Sequence, residues 1–268
     1  MSHVDLLQAF VLAVVQGITE FLPISSSGML ILVPHFLGWE DQGLAFDVAL
    51  HVGTLVAVVS YFRRPLSAMT VAAARSVVHR RLDADARLAW LVLVGTVPVG
   101  LAGIAFAEAI EQHLRSPLFI AFTLAFFGVL MWLSDRLGRQ ARDEYSIGWR
   151  DALLVGIAQA VALLPGTSRS GITITAGLAL GLTRSAAARF SFLLSVPVTA
   201  LAGGYEFKKM LETGASVDWG ATLVGMVVSC VTAYASIHVL LKFIERIGLM
   251  PFMIVRLLLA GVIVLVFA

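Results

Sequence analysis

Charge is scarce in this sequence. Of its 268 residues, 13% are Asp, Glu, Lys or Arg and 59% are hydrophobic, where soluble domains carry roughly 25% charge. A soluble protein of that composition would expose large apolar patches, whereas a bilayer solvates them. The formal net charge of +2 gives no basis for a nucleic-acid partner. Cysteine is nearly absent. The lone Cys230 lies in an apolar run, which excludes a disulfide framework and the cysteine-based metal motifs. The N-terminal MSHVDLLQAF has neither a basic n-region nor a small-residue cleavage site, so no removable signal peptide is expected.

Apolar length, by contrast, is plentiful. Six stretches, near 44–62, 88–107, 117–134, 186–203, 218–241 and 251–267, suffice or nearly so for a hydrocarbon core of about 30 Å, which takes roughly 20 helical residues. Two more apolar segments are interrupted: 5–38 by FLPISSSG and 150–182 by LLPGTSRSG. Their halves, of about 14–18 residues, are short for a full span. Irregular backbone survives at membrane depth only where protein or a water-filled cavity satisfies it. Both segments therefore read as re-entrant helix–loop–helix hairpins. The expected fold is an all-α polytopic membrane protein of six transmembrane helices plus two such hairpins, in one domain over residues 1–268.

Basic residues orient it. With the N-terminus outside, the inner loops hold Arg63, Arg64, Arg75, Arg80, Arg81, Arg87, Arg136, Arg139, Arg142, Arg150, Arg184, Arg189, Lys242 and Arg246. The outer loops hold only Arg115, Lys208 and Lys209. That asymmetry marks cytoplasmic loops and puts both termini on the outer face. An internal repeat accompanies it, about 5–134 and 150–267. Gln16, Pro23, a serine cluster, Gly28 and Gly38 are echoed by Gln159, Pro165, a second serine cluster, Gly171 and Gly181, with both glycine pairs 143 positions apart. Three spans separate the copies. The second hairpin thus enters from the opposite face, which makes an inverted-topology repeat with two breaks meeting near the midplane.

The breaks hold the chemistry. Arg169, costly at that depth, should face a cavity and a partner, and its planar fork suits phosphate or carboxylate. Ser168, Ser170 and Thr173 surround it, and a half-helix over about 171–182 would aim its N-terminal N–H groups at the same spot. Ser25, Ser26 and Ser27 repeat the device in the first break. Two opposed helix N-termini and an arginine fit a diphosphate better than a single carboxylate. Gln16 and Glu20, four apart, share one helix face. Beside an anion, Glu20 must bind a hard cation such as magnesium or calcium, hold a proton, or act as base toward a serine or a water. The bland reading makes Arg169–Glu20 a structural salt bridge, and each serine a helix cap. His3, His79, His113 and His238 read as terminal, loop or interfacial; His35 and His51 lie near the first hairpin.

At these residues the chain resembles the undecaprenyl-diphosphate phosphatase family, the bacitracin-resistance proteins. Its first motif looks like QGITEFLPISSSG and its second, PGxSRSxxT, like PGTSRSGIT from Pro165 to Thr173; FSFLLSVP (190–197) and the RLLLAG tail extend the likeness nearly end to end. The resemblance implies hydrolysis of a C55-type polyprenyl diphosphate to the monophosphate, with divalent-metal dependence, in recycling the cell-wall carrier lipid. It also implies the inverted-repeat fold and a cavity opening outward. Glu20 matches the essential acid, Ser26 the nucleophile, and Arg169 the phosphate-binding arginine. Gln16, Ser25, Ser27, Ser168, Ser170 and Thr173 become substrate-binding residues and Glu20 a metal ligand. Two positions depart: Gln16 stands where many members have glutamate, and Met29 where members carry a catalytic histidine. A thioether moves no proton, so Glu20 acts alone, His35 or His51 substitutes, or catalysis is weakened. The rival is a carrier of an anionic lipid or small phosphate compound, since broken inverted repeats also build transporters. Assembly as a homodimer is left open.

Overall fold

The computed structural model describes residues 5–40, 42–114, 116–213 and 218–267. Eleven helices follow in order: α1 Leu6–Phe21, α2 Ser26–Leu37, α3 Leu44–Tyr61, α4 Arg63–His79, α5 Ala84–His113, α6 Pro117–Leu137, α7 Trp149–Val161, α8 Arg169–Ala179, α9 Arg184–Thr213, α10 Trp219–Ile247 and α11 Met250–Phe267. Five of them, α5, α6, α9, α10 and α11, are long and apolar enough to cross a membrane. The sixth expected span is α3, which counts only together with α4, bent 79° from it. Apolar side chains face outward all along these helices; Ile104 is 89% exposed and Leu265 86%. In water that surface would be prohibitive, and in lipid it is the solvated face.

The two interrupted segments do break where the prolines and serines stand. Leu22–Ser25 separates α1 from α2, and Ala162–Ser168 separates α7 from α8. The halves are shorter than the sequence suggested: α2, α7 and α8 have 12, 13 and 11 residues. The second half-helix also starts two residues early, at Arg169, because Ser168 serves as its N-cap. Helix α4 was unexpected; its polar, arginine-bearing sequence reads as loop, yet Ser76 meets the Trp90 indole N–H of α5 at 3.0 Å. His79 and His113, read as loop residues, end α4 and α5, and Lys208 and Lys209 sit on α9. His238 lies within α10, its Nδ1 3.5 Å from the Tyr61 hydroxyl. His3 and Arg115 lie outside the described residues.

Small residues let the two broken segments dock closely, as is usual between membrane helices. Gly17 of α1 abuts α10, where a Cβ would stand 2.7 Å from the Ser229 carbonyl. Gly156 of α7 abuts α5, where a Cβ would stand 3.0 Å from the Gly95 Cα. Thus α1 rests on α10 and α7 on α5, while α6 packs along α11 and α3 packs between α9 and α10.

Candidate functional site

Each break ends on a serine whose backbone few non-glycine residues adopt: φ is 124° at Ser25 and 70° at Ser168. Such positions cost of order 1 kcal/mol or more and persist where surroundings impose them. Both serines cap the helix that follows. Ser25 Oγ accepts from Gly28 N–H at 3.4 Å and Ser168 Oγ from Gly171 N–H at 3.2 Å. The first turns of α2 and α8 meet at Glu20, which accepts from Ser26 of one and Arg169 of the other. The leading N–H groups of both helices have no acceptor within their own helix.

Glu20, 8% exposed at the end of α1, joins the two breaks. Its Oε1 accepts from Arg169 Nη2 at 2.8 Å. Its Oε2 accepts from Ser26 Oγ at 2.7 Å and from Gln16 Nε2 at 3.1 Å. The salt bridge of the bland reading is therefore real, but it does not stand alone, because the same carboxylate grips a serine hydroxyl. The guanidinium also lies 6.0 Å over the Phe21 ring and donates from Nη1 to the Ser191 carbonyl at 3.4 Å. Residues from α1, α2, α8 and α9 converge here.

The other expected residues form a supporting layer. Ser170 Oγ donates to the Leu22 carbonyl at 3.2 Å, tying one break to the other, and lies 3.3 Å from Ser168 Oγ. Thr173 Oγ1 donates to the Arg169 carbonyl at 2.8 Å and meets Ser191 Oγ at 2.7 Å. Ser27 is exposed and lies 3.4 Å from Ser25 Oγ. The two candidate histidines separate. His35 stacks on Phe267 at 4.8 Å and lines an apolar cavity of about 260 Å³ with Trp39 and Gln42, apart from the serine cluster. His51 of α3 lies within electrostatic reach of the Glu20 carboxylate. Its Nδ1 is 2.8 Å from the Asp47 carbonyl, so a proton on Nδ1 would leave Nε2 as the basic nitrogen.

No cluster of three or more His, Cys, Asp or Glu suited to a metal occurs among the described residues. The donors present are one carboxylate, hydroxyls and the buried Gln16 Oε1, which has no hydrogen-bond partner. These are hard oxygens of the kind magnesium or calcium takes, and they fit an ion whose shell is completed mainly by substrate oxygens and water.

Two residues of the site were missed in the sequence. Ser191, on α9, lies in FSFLLSVP, a stretch that carries the resemblance but no assigned role. Arg256, which opens the RLLLAG tail without a role assigned to it there, is fully buried beneath both breaks. It donates to the carbonyls of Ile24 at 3.3 Å, Gly166 at 3.0 Å, Leu124 at 3.0 Å and Thr123 at 3.3 Å.

Known proteins match this chain over nearly its whole length. It is 54% identical over 267 residues to undecaprenyl-diphosphatase 2 of Stutzerimonas stutzeri, covering 98% of this chain and 99% of that protein. It is 53% identical to undecaprenyl-diphosphatase of Nitrosococcus oceani, covering 98% and 100%. It is also 53% identical to the protein of that name from Thioalkalivibrio sulfidiphilus, covering 98% and 99%. The model of the bacitracin resistance protein BacA matches residues 9–262. With both serine motifs inside that match, the chain belongs to the BacA family of bacitracin resistance proteins.

Proposed function

We propose that this multi-pass membrane protein hydrolyses undecaprenyl diphosphate to the monophosphate and inorganic phosphate, returning the cell-wall carrier lipid to use. The observation that carries this reading is the Glu20 carboxylate, which holds the Ser26 hydroxyl at 2.7 Å and the Arg169 guanidinium at 2.8 Å between two helix N-termini. A carrier has no use for a nucleophile already paired with a base. An enzyme needs that pair within hydrogen-bond reach.

The diphosphate enters at the two serine loops while its polyprenyl chain stays among the spans. Arg169 turns its fork to the terminal phosphoryl oxygens, and the leading N–H groups of α2 and α8 share their charge. Ser26 Oγ attacks the terminal phosphorus in line. Glu20 takes the hydroxyl proton, the anhydride P–O bond breaks, and undecaprenyl monophosphate leaves. Water then cleaves the phosphoserine, its proton passing to His51 Nε2 while Glu20 returns the first proton to Ser26 Oγ, and phosphate departs. Catalysis of this kind is positioning plus charge stabilisation. A divalent cation, held by Glu20 and Gln16 with substrate oxygens, would neutralise the developing charge. His51, rather than His35, stands in for the proton-carrying residue displaced by Met29.

The two hairpins form an inverted-topology repeat, supported by the matching N-caps at Ser25 and Ser168 and by the paired docking of α1 on α10 and α7 on α5. Both termini lie on the outer face of the plasma membrane and the site opens outward. The test is phosphate release from undecaprenyl diphosphate by purified protein in detergent, with and without EDTA, beside Arg169→Ala. Metal-dependent release lost in the variant is expected. Folded protein that releases none with any metal would leave a lipid binder or carrier.

A further inference from the structure

Arg256 is the largest fully buried side chain among the described residues, and the reaction as written makes no use of it. A cation withdrawn from water needs a compensating partner, and no carboxylate faces this one among the described residues. Its compensation is the four backbone carbonyls. Their origin is informative. Ile24 directly precedes the cap Ser25, and Gly166 lies two residues before the cap Ser168. Thr123 and Leu124 belong to α6, whose Thr123 hydroxyl donates to the Pro165 carbonyl at 2.6 Å. One planar group therefore bonds to both serine loops and to the helix behind them. A Cβ built on Gly171, in the first turn of α8, would lie 3.3 Å from its Nη1, so the charge sits directly under that turn.

We propose that Arg256 is a positioning residue for the phosphatase reaction, fixing the register in which Ser26 and Arg169 meet one phosphoryl group. The proposal rests on the reading of Ser26 as nucleophile. Both caps occupy a left-handed or otherwise rare backbone conformation, which a loop keeps only under restraint. A guanidinium supplies five donors in a plane and can hold carbonyls arriving from several directions; a lysine ammonium on its flexible stem cannot match that pattern. The hydrogen bonds of Arg256 all end on backbone carbonyls, two of them in the serine loops, so it acts through the loops.

Gly128 of α6 offers a second, milder probe. A Cβ there would come within 3.2 Å of Arg256 Nε and 3.3 Å of its Cβ, so the arginine must give by a few tenths of an ångström. Gly128→Ala disturbs the clamp while improving helix propensity. The experiment measures kcat, KM and the melting temperature for wild type, Arg256→Lys and Gly128→Ala in detergent. Misplacement on the scale of 1 Å can cost about 100-fold in rate. Arg256→Lys should lose about 30-fold or more in kcat, and Gly128→Ala about 3- to 10-fold, each with KM within about threefold. Gly128→Ala should melt no lower than wild type. Unchanged kcat in both variants overturns the proposal. So does a rise in KM alone, or a loss that merely tracks the folded fraction. If Arg256→Lys does not fold, Gly128→Ala decides. Wild-type turnover in the same assay separates this question from the phosphatase reading, which falls only if the wild type releases no phosphate.

Discussion

Glu20 accepts from three side chains at once, and that crowding decides what its removal should do. Glu20→Gln deprives Ser26 of its base and leaves Arg169 partly buried without a counter-charge, a loss that elsewhere costs roughly 3–5 kcal/mol. Turnover and stability should therefore fall together in that variant. Ser26→Ala removes only a hydroxyl that is half-buried, so folding should survive while phosphate release drops by about 1,000-fold or more, the scale at which nucleophile deletions are felt. Substantial residual activity with intact folding would shift the attack to water held by Glu20. His51→Gln should slow turnover about 10- to 100-fold, within the range of a lost proton-transfer group, whereas His35→Gln should change it little. Equal effects of the two substitutions would refute the choice between them. The proposed roles were legible in unequal measure. Glu20, Ser26 and Arg169 stand in motifs, and the cost of charge in lipid singles out two of them. Sequence could not separate His35 from His51, because only the fold sets His35 against Phe267 in a separate cavity and His51 near Glu20. Arg256 was illegible for a deeper reason. Its partners are backbone carbonyls as far as 232 positions away, and no residue type encodes an acceptor of that kind.

At the scale of elements, the breaks were readable because proline and clustered serine are poor company for a continuous membrane helix. Boundaries were less so, since capping by Ser168 extends α8 to Arg169. Helix α4 escaped notice because its membrane-adjacent sequence lacks apolar length, and what holds it is lateral packing of Met69, Ala72 and Ser76 against neighbours. The docking of α1 on α10 was equally hidden, since a glycine in an apolar run signals nothing until its neighbour is known. Gly17 sits with the Ser229 carbonyl and the Ala233 N–H 2.7 and 2.8 Å from where its Cβ would be. Both are backbone atoms and cannot swing aside. Gly17→Ala should consequently destabilise the protein by about 1–3 kcal/mol, the usual cost of overpacking, despite its better helix propensity. Thermal unfolding in detergent measures this. A melting temperature equal to or above wild type would show that α1 and α10 are not so closely apposed.

For the whole molecule, orientation is the quantity that sequence charge counts address most directly, and the fold alters what those counts mean. Arg184 is paired with Asp135 at 2.5 Å and Arg142 with Asp151 at 2.6 Å. Arg142 also donates to the Leu180 carbonyl at 2.9 Å. These cations fasten helix ends together and contribute little net charge to an insertion signal. Arg63, Arg64, Arg75, Arg80 and Arg81, along and just after α4, are exposed and carry the signal that survives pairing. Arg136, Arg139, Arg150, Lys242 and Arg246 are exposed as well, but the α4 segment holds the densest run of that signal, and it can be probed. In a Cys230→Ser background, Glu40→Cys on the connection between α2 and α3 should react with a membrane-impermeant maleimide in intact cells. Ser67→Cys on α4 should react only once the membrane is opened. The converse pattern would place the arginine-rich face outside, turn the serine loops toward the cytoplasm, and require the carrier lipid to be hydrolysed from the inner leaflet.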